Sequence, residues 1–294
     1  MIARFLKEDV DPSLPSVFCT YDISPAGLLS VFQQIDGNIR GKVAIKLSTV
    51  ELNGPNILPR ELIKELQSVI PNSSIVECNT AYEGSSRKTT ATHITTARIN
   101  GFDFCPVDIM DAGGDADLPI KDGNHLKSIP VGRNLLKYDS MLVYTHFKGH
   151  AFAGFGGALK NIGIGCASSR GKEIIHGDWK PSDKFLERMV ESGKATADHF
   201  GNNITYINVL KNISVDCDCD KNAAPPVCPD ICILGSTDIL AIDQASVDMV
   251  YNLKTPKTKD IIERIESRNG LHQLDYMEKL GMGSRKYNLI SLDD

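Results

Sequence analysis

The stretch GKVAIKLSTVELNGPNILPRELIKELQSVIPNSSIVECN, residues 41–79, decides the fold class. Gly41–Ser48 reads as a strand leaving a turn. Leu58–Ile70 reads as a helix: Pro59 sits in its first turn, where a missing N–H costs nothing, and Leu62, Leu66 and Val69 share one apolar face. Ser73–Asn79 reads as the next strand. Strand, helix and strand at this spacing make the unit of a parallel sheet covered by helices.

Working outward, residues 89–102 predict a helix ending near Gly101, although threonine is a poor helix former. Residues 108–123 are polar and glycine-rich and predict a loop or short hairpin. Asp139–Phe147 predicts a central strand, apolar enough to be covered on both faces. Beyond it come a helix over 181–201, a strand over 204–214, and a strand and helix within 230–253 capped by Thr237 or Asp238. Two helices and a closing strand over 286–292 complete the chain. The expected fold is α/β, with mostly parallel or mixed sheets flanked by helices in two lobes, 1–145 and 146–294.

The 294 residues allow one large core or two smaller ones. A net charge of -5 gives no reason to expect nucleic acid. The N-terminal residues lack the apolar run of a signal peptide, and no stretch is long and apolar enough to span a membrane, so a cytoplasmic protein is expected. The eight cysteines then predict thiols rather than disulfides. Self-association stays open.

The chemistry gathers in residues 145–178, just beyond the central strand, where ligands of α/β sheets bind. Gly154, Gly156 and Gly157 could turn backbone amides toward an anion, helped by a helix opening at Ala158. The segment is no ATPase loop: six residues separate Gly165 from Lys172, and Glu173 stands where Ser or Thr is required. His150 and His176 flank Lys160. Imidazoles suit proton transfer or a soft metal, and a lysine supplies charge or a nucleophilic amine. The plain alternatives are close packing for the glycines, loop hydrogen bonds for the histidines and a solvated head for Lys160.

Four cysteines crowd residues 217–232. Cys217 and Cys219 form a C-x-C pair that could hold a metal, with Cys228 and Cys232 as further thiols. Asp216, Asp218 and Asp220 alternate with them and oppose thiolate formation unless a cation sits among them. Burial alone would also explain Cys232.

The segments 149–172, 208–220 and 229–250 resemble a large uncharacterised family whose members are often labelled as containing an iron–sulfur center. The resemblance runs from about Gly41 to Leu292. Long members carry C-x2-C-x2-C-x3-C-P runs, which this sequence lacks, so no ferredoxin-type cluster is expected. The centre is also distantly similar to the nickel-dependent lactate racemases. That resemblance implies a proton-transfer role for His150, a nickel pincer cofactor held by Lys160, and nickel ligation by His176. Ser86 stands where the racemases have a second catalytic histidine, His93 is displaced, and Arg87 remains to meet a carboxylate or phosphate.

Together these readings predict a metal- or cofactor-binding protein, an oxidoreductase or isomerase acting on a small anionic substrate. The metal would be nickel, iron or zinc. The alternatives are a cysteine-based iron–sulfur or zinc redox protein and a noncatalytic ligand-binding or interaction protein.

Overall fold

A computed structural model of the chain describes residues 10–220 and 222–293. The first nine residues of the segment read as no signal peptide lie outside it. The strands among the described residues are Ser16–Thr20 (β1), Val43–Lys46 (β2), Ser73–Glu77 (β3), Val107–Ile109 (β4), Asp115–Pro119 (β5), Ser128–Gly132 (β6), Ser140–His146 (β7), Lys148–His150 (β8), Gly154–Gly156 (β9), Ile204–Val209 (β10), Ile233–Ser236 (β11) and Asn288–Ser291 (β12). The α-helices are Pro25–Phe32 (α1), Arg60–Ser68 (α2), Thr90–Ile99 (α3), Ala158–Gly165 (α4), Ser169–His176 (α5), Asp183–Phe200 (α6), Ile239–Asn252 (α7), Lys259–Ser267 (α8) and His272–Lys279 (α9).

Eight strands form one sheet in the order β12-β1-β11-β10-β7-β2-β3-β4. Only β11 runs against its neighbours; every other pairing is parallel. The α/β class with a mostly parallel sheet therefore holds. The division placed at residue 145 falls on β7, which pairs with β2 on one side and β10 on the other, so one sheet runs through both halves.

Alternation along the strands divides the core. Ile45, Leu142 and Ile207 join one apolar cluster with residues of α1, α2 and α3. Ala44, Met141 and Val143 join the other with residues of α4 to α9. The threonine-rich α3 forms because the Thr89 hydroxyl accepts from the Thr92 N–H at its start, while Ala97 packs inward. Asp238 caps α7 through the Ala241 N–H. The hairpin expected within 108–123 extends further, pairing β5 with β6. No helix among the described residues is long and apolar enough to cross a membrane.

Candidate functional site

Lys46, Glu77 and His146 end β2, β3 and β7, and all three strands run parallel. Beyond their carboxyl ends lies a cavity of about 370 Å³. Arg87, His150, Gly156, Gly157, Lys160, His176, Cys217 and Cys219 all line it, whereas Ser86, His93, Cys228 and Cys232 do not. Gly154, with φ +77°, stands back from it in β9, its Cα packed toward Gly270.

The two histidines are held in opposite senses. His150 accepts at Nδ1 from the amides of Phe152 (3.2 Å) and Ala153 (3.0 Å). Burial, then Lys160 and His176, hold it well below the usual imidazole range. A neutral ring with an accepting Nδ1 carries its proton on Nε2, so His150 is a fixed N–H donor. His176, at the end of α5, donates from Nδ1 to the Lys172 carbonyl at 2.7 Å. Burial lowers its pKa to about 4, and Trp179 stacks on the ring with centroids 4.2 Å apart. Its Nε2 therefore presents a bare lone pair. A backbone carbonyl on the other nitrogen is the usual support of a metal-ligating histidine.

Five cationic side chains line the cavity. Lys46 meets Glu77 at 3.3 Å, Arg87 meets Glu51 (3.1 Å) and Glu77 (3.4 Å), and Lys148 meets Asp218 (2.7 Å). Lys172 donates to the Ala167 carbonyl at 2.6 Å. Of these five, Lys160 has no carboxylate or carbonyl partner among the described residues; the Cys217 thiol is among the groups its charge acts on. The Arg87 expected to meet a ligand anion is thus already engaged by two carboxylates.

The amides expected to cradle an anion are also engaged. Asp243 accepts from the N–H groups of Ala158 (2.7 Å) and Leu159 (2.9 Å) and from Asn208 Nδ2 (2.8 Å). A Cβ on Gly157 would stand 2.3 Å from Asp243 Oδ1. Glycine there makes room for a carboxylate from α7, and a protein group holds the place proposed for a phosphate. Sequence proximity could not supply this partner, 85 residues away.

The cysteine loop is tied down by Asp218, which also accepts from His146 Nδ1 at 2.8 Å, and by Asp216, which pairs with Arg264. His146 ends β7 and His150 ends β8. The cations required among the aspartates are protein side chains. A ring nitrogen of His150 and the sulfurs of Cys217 and Cys219 lie within 4.8 Å of one another. A hydrogen bond from Cys219, with Lys160 and Lys148 nearby, holds the Cys217 thiol well below its usual range against burial. Cys228 and Cys232 do not join this group; Cys232 is fully buried against Cys19. A four-thiol cluster is not assembled among the described residues.

Sequence reasoning missed Glu77 and Glu51. Glu77, 3% exposed, also accepts from the Thr49 N–H (2.6 Å) and hydroxyl (3.0 Å). Glu51 accepts from Ser86, which stands where a histidine is absent, at 2.7 Å. His93 is wholly buried behind Glu77, 3.8 Å from its carboxylate. An acidic residue ending a parallel strand was the available signal for Glu77.

The family model described as Domain of unknown function (DUF362) matches residues 43–248. No curated protein matches the chain. Among solved structures, the lactate racemase apoprotein from Thermoanaerobacterium thermosaccharolyticum is similar at 13% identity and a TM-score of 0.49, over 80% of this chain and 57% of that one. A Thermotoga maritima protein from a structural genomics consortium is similar at 12% identity and a TM-score of 0.44, over 77% of this chain and 58% of that one. The chain spans less than two thirds of either protein's length.

Proposed function

From the premise that the chain belongs to the DUF362 family, we propose a metal- or cofactor-dependent enzyme, an oxidoreductase or isomerase, acting on a small anionic substrate. One observation carries this reading: an ammonium without a carboxylate or carbonyl partner (Lys160), a bare imidazole nitrogen (His176 Nε2) and a fixed N–H donor (His150) face one cavity at the carboxyl edge of the sheet.

The donors fit a soft divalent metal such as nickel, iron or zinc. His176 offers Nε2 in the neutral form that ligation needs, while Cys217 and Cys219 offer paired sulfurs in a group with His150 that His176 does not join. His150 fits less well as an Nε2 ligand, because its Nδ1 is committed to two amides. Such a metal, or an organic cofactor carrying it, would supply the electron sink for hydride or proton transfer. In this reading Lys160 neutralises the substrate's anionic group, and His150 donates to an oxygen on which negative charge develops. That electrostatic role suits a neutral imidazole.

A second reading, a cysteine-held zinc or iron–sulfur redox centre, is favoured by the 4.8 Å grouping of His150, Cys217 and Cys219. Metal analysis separates the two when paired with an ultraviolet–visible spectrum and intact mass of untagged protein. His176→Ala is expected to lose most of the bound metal with circular dichroism unchanged, whereas Cys217→Ala/Cys219→Ala retains part of it. Full loss in the double variant, with His176→Ala fully loaded, would transfer the site to the cysteines. Wild type without metal, chromophore or added mass after anaerobic preparation would favour a noncatalytic binding protein.

A further inference from the structure

We propose that the ligand of this cavity is an amphipathic anion: a carboxylate whose charged end meets Lys160 and whose hydrocarbon or aromatic body lies along Val50, Ile57, Leu58, Ile63 and Phe102. The inference rests on the reading that the cavity takes an anionic substrate, and it replaces a small substrate with one of definite size and shape.

The alternation that divides the core also divides the cavity. Lys46 points to the α4 side, where Asn161 Oδ1 lies 3.1 Å from its Nζ, and Thr145 meets Asn161 Nδ2 at 3.0 Å. Their chain neighbours Leu47 and Tyr144 point the other way, into the apolar cluster of Leu58, Ile63 and Phe102. The cavity sits where these strands stop, so both faces of the sheet open into it. One flank is charged and the other apolar.

Size argues the same way. At about 15 Å³ per water-sized group, the six heavy atoms of a three-carbon hydroxy acid need roughly 90 Å³. That leaves most of the 370 Å³ for a larger body.

Two details mark the apolar flank as more than ordinary packing. Val50 is β-branched and buried, yet has φ +55°. It is held so by Asn100, whose amide donates to the carbonyls of Thr49 (2.9 Å), Val50 (3.4 Å) and Glu51 (2.9 Å). Strain of this kind persists only where the surroundings impose it, and it collects at ligand sites. The Tyr144 hydroxyl is buried on this flank without a hydrogen-bond partner. It would take one polar substituent of the ligand body.

The charged end is fixed by elimination. Each other cation of the cavity has a carboxylate or carbonyl partner; Lys160 has neither among the described residues, and its charge acts on the nearby Cys217 thiol. Gly156 gives its stem room, since a Cβ there would stand 3.1 Å from Lys160 Cδ.

The test is calorimetric titration of the full chain with acetate, butyrate, hexanoate and octanoate, beside the alkanols of the same lengths. Affinity for carboxylates is expected to rise about threefold to fourfold per added methylene until the flank is filled. Lys160→Met should weaken every carboxylate about tenfold or more and leave the alkanols unchanged. Ile57→Asp, at a partly exposed position, should flatten the dependence on length and keep acetate binding, with the circular dichroism spectrum unchanged. A flat wild-type series with Lys160-dependent acetate binding would overturn the amphipathic ligand and leave the small-anion site standing. Alkanols binding as well as carboxylates would overturn it by uncoupling the two flanks. Failure of every carboxylate to bind would overturn it too, while the metal reading keeps its own readout in metal content.

Discussion

Glu77→Gln is expected to cost about 4 kcal/mol of stability, the largest effect of any single substitution at the site. The amide keeps the shape of the side chain but removes the charge between Lys46 and Arg87, both nearly excluded from solvent. Two buried cations would then share Glu51 alone, and the Arg87 guanidinium is the group within its reach. Burial opposes ionisation of Glu77, but Lys46, His93 and Arg87 outweigh it and hold the carboxyl well below the usual range. A lowered carboxylate pKa gives stability that is present at neutral pH and lost on acidification. Urea unfolding at pH 7 measures the loss. Lys46→Met/Glu77→Gln should recover part of it, because the unpaired ammonium is gone. A loss below about 1 kcal/mol would mean that water reaches these charges.

Asp243→Ala is expected to cost about 3 kcal/mol, because two amides of α4 lose their acceptor and Asn208 Nδ2 keeps only Ser246, all at a fully buried position. The wild-type group also sets a pH dependence of opposite sign to Glu77. Burial raises the Asp243 pKa to about 6, against hydrogen bonds from Leu159, Asn208 and Ala158. A raised pKa gives stability that is complete below pH 4 and falls as pH rises through 6, here by about 3 kcal/mol. Unfolding midpoints compared between pH 4 and 7 should show that decline in wild type and its loss in Asp243→Asn. An unchanged slope in the variant would assign the decline to other groups.

The residues differ in how much of this their sequence disclosed. Asp139–Phe147 is legible as a central strand because Met141–Tyr144 is an unbroken apolar run, and β7 is buried through to Thr145. Pro181–Gly201 is legible as a helix because the Ser182 cap and the periodic apolar face agree with α6. Lys160 and His176 stood out as polar groups in a permissive backbone just past that strand. What the sequence concealed is pairing over distance. Nothing near Gly157 signals that its carboxylate comes from Asp243, and nothing near Ser86 signals Glu51. Nor could spacing decide the tautomers of His150 and His176, which depend on whether the nearest backbone group is an amide or a carbonyl. The strand β1, SVFCT, is concealed because it has no strand–helix–strand rhythm around it: its partners β11 and β12 lie at the far end of the sequence.

That overlooked strand bears on how the molecule is made. Among the described strands of the sheet β1 is the first to leave the ribosome, yet its neighbours are β11 and β12, the last two. At roughly 5–20 residues per second, it waits about 10–40 s for β11 to emerge. The parallel strands β2, β3, β4 and β7 can assemble meanwhile. Vectorial synthesis therefore leaves Ser16–Thr20 without its sheet neighbours until β11 has emerged.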